Sequence, residues 1–122
     1  MILRELRKQL SVQTHPNSQG KEFMNDFHTT STQMLEKVSD FFESSWPQAD
    51  VDLLEDTLTI TLPNKCQYVI NKHGVTQQIW LASPFTGAHH FYLKEGEWQC
   101  TRTGICLEDL ILNERNTYAA RV

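Results

Sequence analysis

The chain has 122 residues and only three cysteines, Cys66, Cys100 and Cys106. They cannot all pair within one molecule, and no C-x-x-C or cysteine–histidine spacing of the zinc type occurs. Free thiols in a reducing compartment are the expectation. No apolar run approaches the ~18 residues of a membrane span, and the N-terminus lacks the apolar core of a secretory signal. The five glycines are scattered, so no phosphate-cradling loop is present. No G-x-S-x-G occurs, which removes the usual frame for serine–histidine–acid catalysis. Glu-x-x-His pairs of the di-iron bundle kind are missing too.

What the chain does have is charge set apart by region. The formal net charge is -4. Residues 1–21 carry Arg4, Arg7, Lys8 and Lys21 against Glu5, whereas residues 22–56 carry nine acids against Lys37 alone. The remainder is close to neutral. A strongly negative sector excludes nucleic acid as a partner and favours cations or a basic protein surface. The length suits one domain.

Residues 11–21 read as a polar linker. From Glu22 the apolar Phe27, Met34, Leu35, Val38, Phe41 and Phe42 fall within an arc of about 120° on a helical wheel, opposite an acidic arc of Glu22, Asp26, Glu36, Asp40 and Glu43. Pro47 ends this helix. The period then changes to two. Residues 51–54 predict a first strand, Leu58, Ile60 and Leu62 alternate with threonines in a second, and residues 66–70, 76–81, 89–93 and 98–100 predict four more. Turns fall at Pro63-Asn64-Lys65, Lys72-His73-Gly74 and Glu95-Gly96. Leu107, Leu110 and Ile111 mark a last short helix. Short consecutive strands imply an antiparallel meander with two helices on one face and the other face free to meet a partner. Trp80 and Trp98 fit either the core or that free face.

Among candidate chemical groups, His89 and His90 are neighbours on a strand. They point to opposite faces and could share one ion only across a bulge, so ordinary packing is the simpler reading. Each cysteine reads as a small buried hydrophobe or an incidental thiol. The acids are more informative. Glu36 and Asp40 lie four residues apart and Asp40 and Glu43 three apart, stacking like charges where opposite ones would stabilise the helix. Asp50 and Asp52 share one side of the first strand and extend the predicted ridge. Two readings stand: a solvated face, or a surface for cations or a basic partner. Carboxylates suit hard cations, iron among them, but an exposed ridge without a closed cage binds weakly.

The segment Tyr68-Val69-Ile70-Asn71-Lys72, followed by Gln77-Gln78-Ile79-Trp80-Leu81-Ala82-Ser83-Pro84, resembles the signature of the frataxin family, whose bacterial form is CyaY. The surrounding order agrees: DFFE at 40–43, an acidic first strand, LTITL at 58–62, HFYLKEGEW at 90–98, Gly104 and LEDLI at 107–111. The resemblance covers residues 22–115. It implies a frataxin-like two-layer α-β-sandwich, an α+β fold whose antiparallel sheet has five to seven strands with two helices packed on one face. It also implies weak, reversible binding of ferrous or ferric iron on the acidic ridge, at Glu36, Asp40, Glu43 and Asp50, with Asp52 beside them. The implied partners are a cysteine desulfurase and an iron–sulfur scaffold protein, met through Asn71 and Trp80, with Gln78 as their neighbour. Three departures from the family pattern are visible. Thr32, Gln33 and Ser44 stand where eukaryotic members often carry acids, so the ridge is thinner. Cys106 replaces the usual capping serine of the last helix, which predicts a weaker start. Little chain follows that helix, where some members have a tail over the helix groove, and this predicts modest stability.

The function so implied is an iron-binding regulator or iron donor of iron–sulfur cluster assembly, without an enzymatic centre of its own and either monomeric or weakly oligomeric with iron. The alternatives are an iron oxidase or storage protein, and an interaction domain that ignores metal. Residues 1–21 form a basic, then polar extension ahead of the domain at 22–122. With Ile2, Leu3, Leu6 and Leu10 between its cations, the extension predicts a mitochondrial or mitochondrion-derived address. The YVINK and SP-x-TG wording is nearer the eukaryotic members; the alternative is a bacterial cytoplasm.

Overall fold

The computed structural model describes the backbone of residues 19–121 and the side chains of residues 27–120. The basic stretch at residues 1–10 and most of the predicted linker lie outside the described residues. The described chain opens on helix α1 (Gln19–Ser45), three residues ahead of Glu22. Six strands follow: β1 (Asp50–Leu54), β2 (Thr57–Thr61), β3 (Gln67–His73), β4 (Gln78–Ser83), β5 (Gly87–Lys94) and β6 (Glu97–Cys100). Helix α2 (Leu107–Tyr118) and a 3₁₀ turn at Ala119–Arg121 complete the order. The strands form one sheet in the order β1-β2-β3-β4-β5-β6, every neighbouring pair antiparallel. This is the predicted meander, and no crossover is needed because each strand pairs with its neighbours in sequence.

Local chemistry explains the boundaries. Between β5 and β6, Glu95 and Gly96 both adopt positive φ (51° and 83°). A two-residue turn with that geometry matches the right-handed twist of the strands it joins. β3 runs through Lys72 and His73, where Gly74 and its neighbours predict a turn. Its ladder continues because the Lys72 backbone N–H donates to the Asp56 carbonyl at 3.0 Å. The turn comes afterwards, over residues 74–77.

Alternation along the strands separates two faces. Leu58, Ile60, Tyr68, Ile70, Ile79, Leu81, Phe91, Trp98 and Cys100 are all buried toward the helices. Met34, Leu35, Val38 and Phe42 of α1 and Leu107, Leu110 and Ile111 of α2 close over them. Phe42 is wholly buried and stacks on Trp46 at 5.8 Å. Trp98 therefore belongs to the core. His89 is turned inward and buried, and His90 outward, as alternation requires. Of the thiols, Cys100 is buried, Cys66 exposed and Cys106 between the two. Cys106 is the N-cap of α2 and makes no side-chain capping bond; its thiol donates instead to Glu97 Oε1 at 3.3 Å.

Two polar devices hold the layers together. Lys72 passes toward α1 with its side chain 6% exposed. Its ammonium donates to Thr32 Oγ1 (2.7 Å) and His28 Nδ1 (2.9 Å) and lies 3.6 Å from Asp56 Oδ1. The second device centres on Glu114 of α2, 3% exposed. Its Oε1 accepts from the Tyr68 hydroxyl at 2.7 Å and from Ser83 Oγ at 2.6 Å, and its Oε2 accepts from Thr86 Oγ1. Burial, then the Glu114 carboxylate, push the Tyr68 phenol far above its ordinary range. Next to Glu114, Arg115 donates from Nη2 to the Ser45 carbonyl at 3.0 Å. That places a cation at the C-terminal end of α1, whose own last turn has none.

Thr86 has one hydroxyl proton. Giving it to Glu114, Thr86 accepts from His89 Nε2 at 2.8 Å. His89 is then neutral with its proton on Nε2, and its buried Nδ1 has no hydrogen-bond partner. Burial lowers the His89 pKa, with Glu114 opposing and Arg102 and His90 reinforcing the shift.

Two outcomes are expected. Glu114→Ala strands buried hydroxyls and lowers stability by about 2–4 kcal/mol, with Glu114→Gln milder, in urea unfolding. The depressed His89 pKa means the unfolded chain takes up a proton at higher pH than the folded one. Its contribution is full above the ordinary histidine pKa and is lost as pH falls from there through the lowered folded value. The urea midpoint therefore drops between pH 7.5 and 5, and drops less in His89→Gln.

Candidate functional site

The face of the sheet turned away from the helices carries Thr57, Thr59 and Thr61, then Gln67, Val69 and Asn71, then Gln78, Trp80 and Ala82, with Ala88, His90, Tyr92 and Gln99 beyond. Strand register brings the sequence-predicted partner residues together. Asn71 of β3 lies directly opposite Trp80 of β4, and Trp80 lies opposite His90 of β5. Gln78 pairs with His73 on one side and Tyr92 on the other.

Trp80 is half-buried and fixed from three directions. His73 stacks on it at 3.8 Å and 9°, and His90 at 4.4 Å and 12°. Because the imidazoles come from β3 and β5, they cover opposite faces of the indole. Its Nε1–H donates to Gln78 Oε1 at 2.8 Å. His73 is itself oriented by a 2.7 Å hydrogen bond between Nδ1 and Thr76 Oγ1. Each parallel ring contact contributes about 0.5–1.5 kcal/mol beyond area burial, so the indole stands upright as a fixed post. Sequence reading misses both histidines. It puts His73 in a turn, although its i, i+2 spacing from Asn71 is the signal that places both on one face of a longer strand. It takes His90 with His89, as a neighbour pair, when its partners lie across the sheet.

The predicted acidic ridge is divided. Glu36, Asp40 and Glu43 sit on the outer side of α1, Glu36 and Asp40 half-buried and Glu43 exposed. Asp50 and Asp52 are opposite Thr61 and Thr59, on the open sheet face, while Val51 between them packs against the core. The two groups of acids thus flank the β1 edge from different sides of the sandwich. Among the described residues no group of three or more His, Cys, Asp or Glu side chains is placed to hold a metal ion. The arrangement offers single carboxylates and carboxylate pairs, the pairs on α1 spaced three and four residues apart.

A concavity lies between the helices, lined by Lys37, Val38, Phe41, Glu108, Asp109, Ile111 and Leu112. An ion pair between Lys37 and Glu108 crosses it. Its lining has no constellation for covalent chemistry. Among the described residues no helix is long and apolar enough to cross a membrane.

Comparison with known proteins agrees with this geometry. The family model described as a frataxin-like domain matches residues 21–121. The mitochondrial frataxin homolog of Saccharomyces cerevisiae is 35% identical over 99 residues, which cover 81% of this chain and 56% of the yeast protein, so the chain spans little more than half that relative's length. The iron-sulfur cluster assembly protein CyaY of Vibrio atlanticus is 27% identical over 94 residues, 77% of this chain and 89% of that protein. Among solved structures, trimeric yeast frataxin complexed with ferrous superposes with a TM-score of 0.68 at 32% identity, over 75% of this chain and 87% of that one. A six-stranded antiparallel sheet under two helices, a family match over nearly the whole described chain and the Asn71–Trp80 pair on the open face lead to one conclusion: the chain belongs to the frataxin family.

Proposed function

We propose that this protein works in iron–sulfur cluster assembly as an iron-binding regulator of a cysteine desulfurase–scaffold complex. The observation that carries the reading is the Asn71–Trp80 pair, set side by side on the open face with Gln78 bonded to the indole. A post fixed this rigidly loses little side-chain freedom on docking, which removes one of the entropic penalties at an interface. The relatives lend support: CyaY is named an iron–sulfur cluster assembly protein, and the yeast structure is a ferrous complex.

The mechanism has two parts. The carboxylates Glu36, Asp40 and Glu43 present negative charge on the outside of α1 and steer it to a basic desulfurase surface. They, with Asp50 and Asp52, take up iron one or two carboxylates at a time, which gives weak and reversible binding. The open face meets the scaffold through Asn71, Gln78 and Trp80, and holds the complex in the geometry that sulfur transfer needs. The compartment is a mitochondrion or an organelle derived from one, with a bacterial cytoplasm as the alternative; the relatives include proteins of both kinds.

Replacing Trp80 by Ala is expected to reduce stimulation or inhibition of the desulfurase complex at least tenfold at sub-saturating protein, while circular dichroism stays unchanged. An unaltered effect would defeat the assignment of the open face. Titrating iron under amide NMR is expected to move resonances of α1 and β1 first. Asp40→Asn with Glu43→Gln weakens that response several-fold and leaves the Trp80 indole signal in place.

A further inference from the structure

The centre of the open face carries no permanent charge. Asp50 and Asp52 lie at the β1 edge and Lys94 and Glu97 at the far end of the β5–β6 hairpin; between them stand threonines, glutamines, alanines, Val69, Asn71, Trp80 and Tyr92. Apart from the Tyr92 phenol, the only ionisable groups there among the described residues are His73 and His90, and both lie flat against Trp80. The indole has neither face free for a partner ring. What a partner meets is the upper edge of a three-ring stack, imidazole–indole–imidazole.

We propose that this stack is a proton-controlled contact point: with His73 and His90 protonated, it receives a carboxylate from the docking segment of the scaffold partner. The inference rests on the functional reading above and adds His73 and His90 to its contact residues. The physical basis is charge complementarity. An imidazolium against an indole face gains cation–π attraction, so protonation is compatible with the stack. It also puts positive charge at the centre of the face, where the described residues have none, and a carboxylate then gains a charge-assisted hydrogen bond. The orienting bond between His73 Nδ1 and Thr76 Oγ1 leaves Nε2 as the nitrogen available to a partner; in the imidazolium both nitrogens donate, Nδ1 to Thr76 and Nε2 to the carboxylate.

The charged neighbours on the adjoining elements are already committed elsewhere. Lys72 and Asp56 pair on the helix side of β3. On the far side of β5, Arg102 donates from Nη2 to the Ala88 carbonyl at 2.9 Å, and the His90 carbonyl accepts from the Thr101 N–H. His89, adjacent in sequence, faces inward beside Glu114. The two histidines face each other only through the indole, so positive charge on one disfavours positive charge on the other.

The test uses the full chain and purified scaffold protein at constant ionic strength. Dissociation constants are measured by calorimetry at pH 8, 7 and 6 for the wild type and for His73→Gln/His90→Gln, each single variant serving as a folding control. The wild type is expected to bind about tenfold more tightly at pH 6 than at pH 8, equivalent to about 1.4 kcal/mol. The double variant, having lost both rings that clamp the indole, is expected to bind more weakly than the wild type at pH 8 and to lack that increase. A wild-type affinity that does not rise, or a double variant that keeps the same rise, overturns the inference and leaves the functional reading intact. Absence of binding at every pH overturns the functional reading, and the inference with it. In the free protein the Trp80 indole N–H resonance should move with a histidine titration; an indole signal indifferent to pH between 5.5 and 8 also overturns the proposal.

Discussion

The architecture depends on a single buried carboxylate. Glu114 sits on the last helix, yet its oxygens collect hydroxyls from β3, from the end of β4 and from the turn that leads into β5. A buried carboxylate is tolerated only when its lone pairs are satisfied, so α2 has one position on the sheet in which Tyr68, Ser83 and Thr86 all reach it. Hydrophobic burial of Leu107, Leu110 and Ile111 supplies most of the attraction but has no direction. The hydroxyls supply the direction. Arg115, one residue on, carries the same alignment to the end of α1, so one turn of α2 positions both other parts of the molecule.

The same alignment reaches the open face. Ser83, bonded to Glu114, closes the strand that displays Gln78 and Trp80, and Tyr68 opens the segment that displays Asn71. Their backbones are fixed from the helix side, and their outward side chains inherit that rigidity. The site thus needs no ligand to form: its indole is clamped by rings from both neighbouring strands and tethered by its own nitrogen.

Much of this was readable from the chain. The apolar arc of α1 is a strong periodic signal, and the strands after residue 50 follow from alternation and turn residues. Trp80 and Trp98 are separated by their flanks: Ile79 and Leu81 take the core side and turn Trp80 outward, whereas Glu97 and Gln99 take the solvent side and turn Trp98 inward, a distinction that the bulk and apolarity of an indole obscure. Glu114 offers no sequence signal at all. It is one acid among many, and its partners are up to 46 residues away. The ridge was legible as charge but not as geometry, because the step from helix to edge strand puts Asp50 and Asp52 on the side of the sheet that α1 does not share. His73 was hidden by a glycine that predicts a turn slightly too early.

The division of the acids has a consequence for solubility. β1 is an edge strand, with one row of backbone N–H and C=O groups that no neighbouring strand takes up. Such an edge invites a second molecule to add its own strand, and charged side chains on the edge are the usual protection. Asp50 and Asp52 alternate along it on the open side. Two copies approaching edge to edge would bring like charges together before any ladder could form. These acids therefore oppose growth of the sheet across molecules, and that places an upper limit on how far the edge can be neutralised before the protein begins to self-associate.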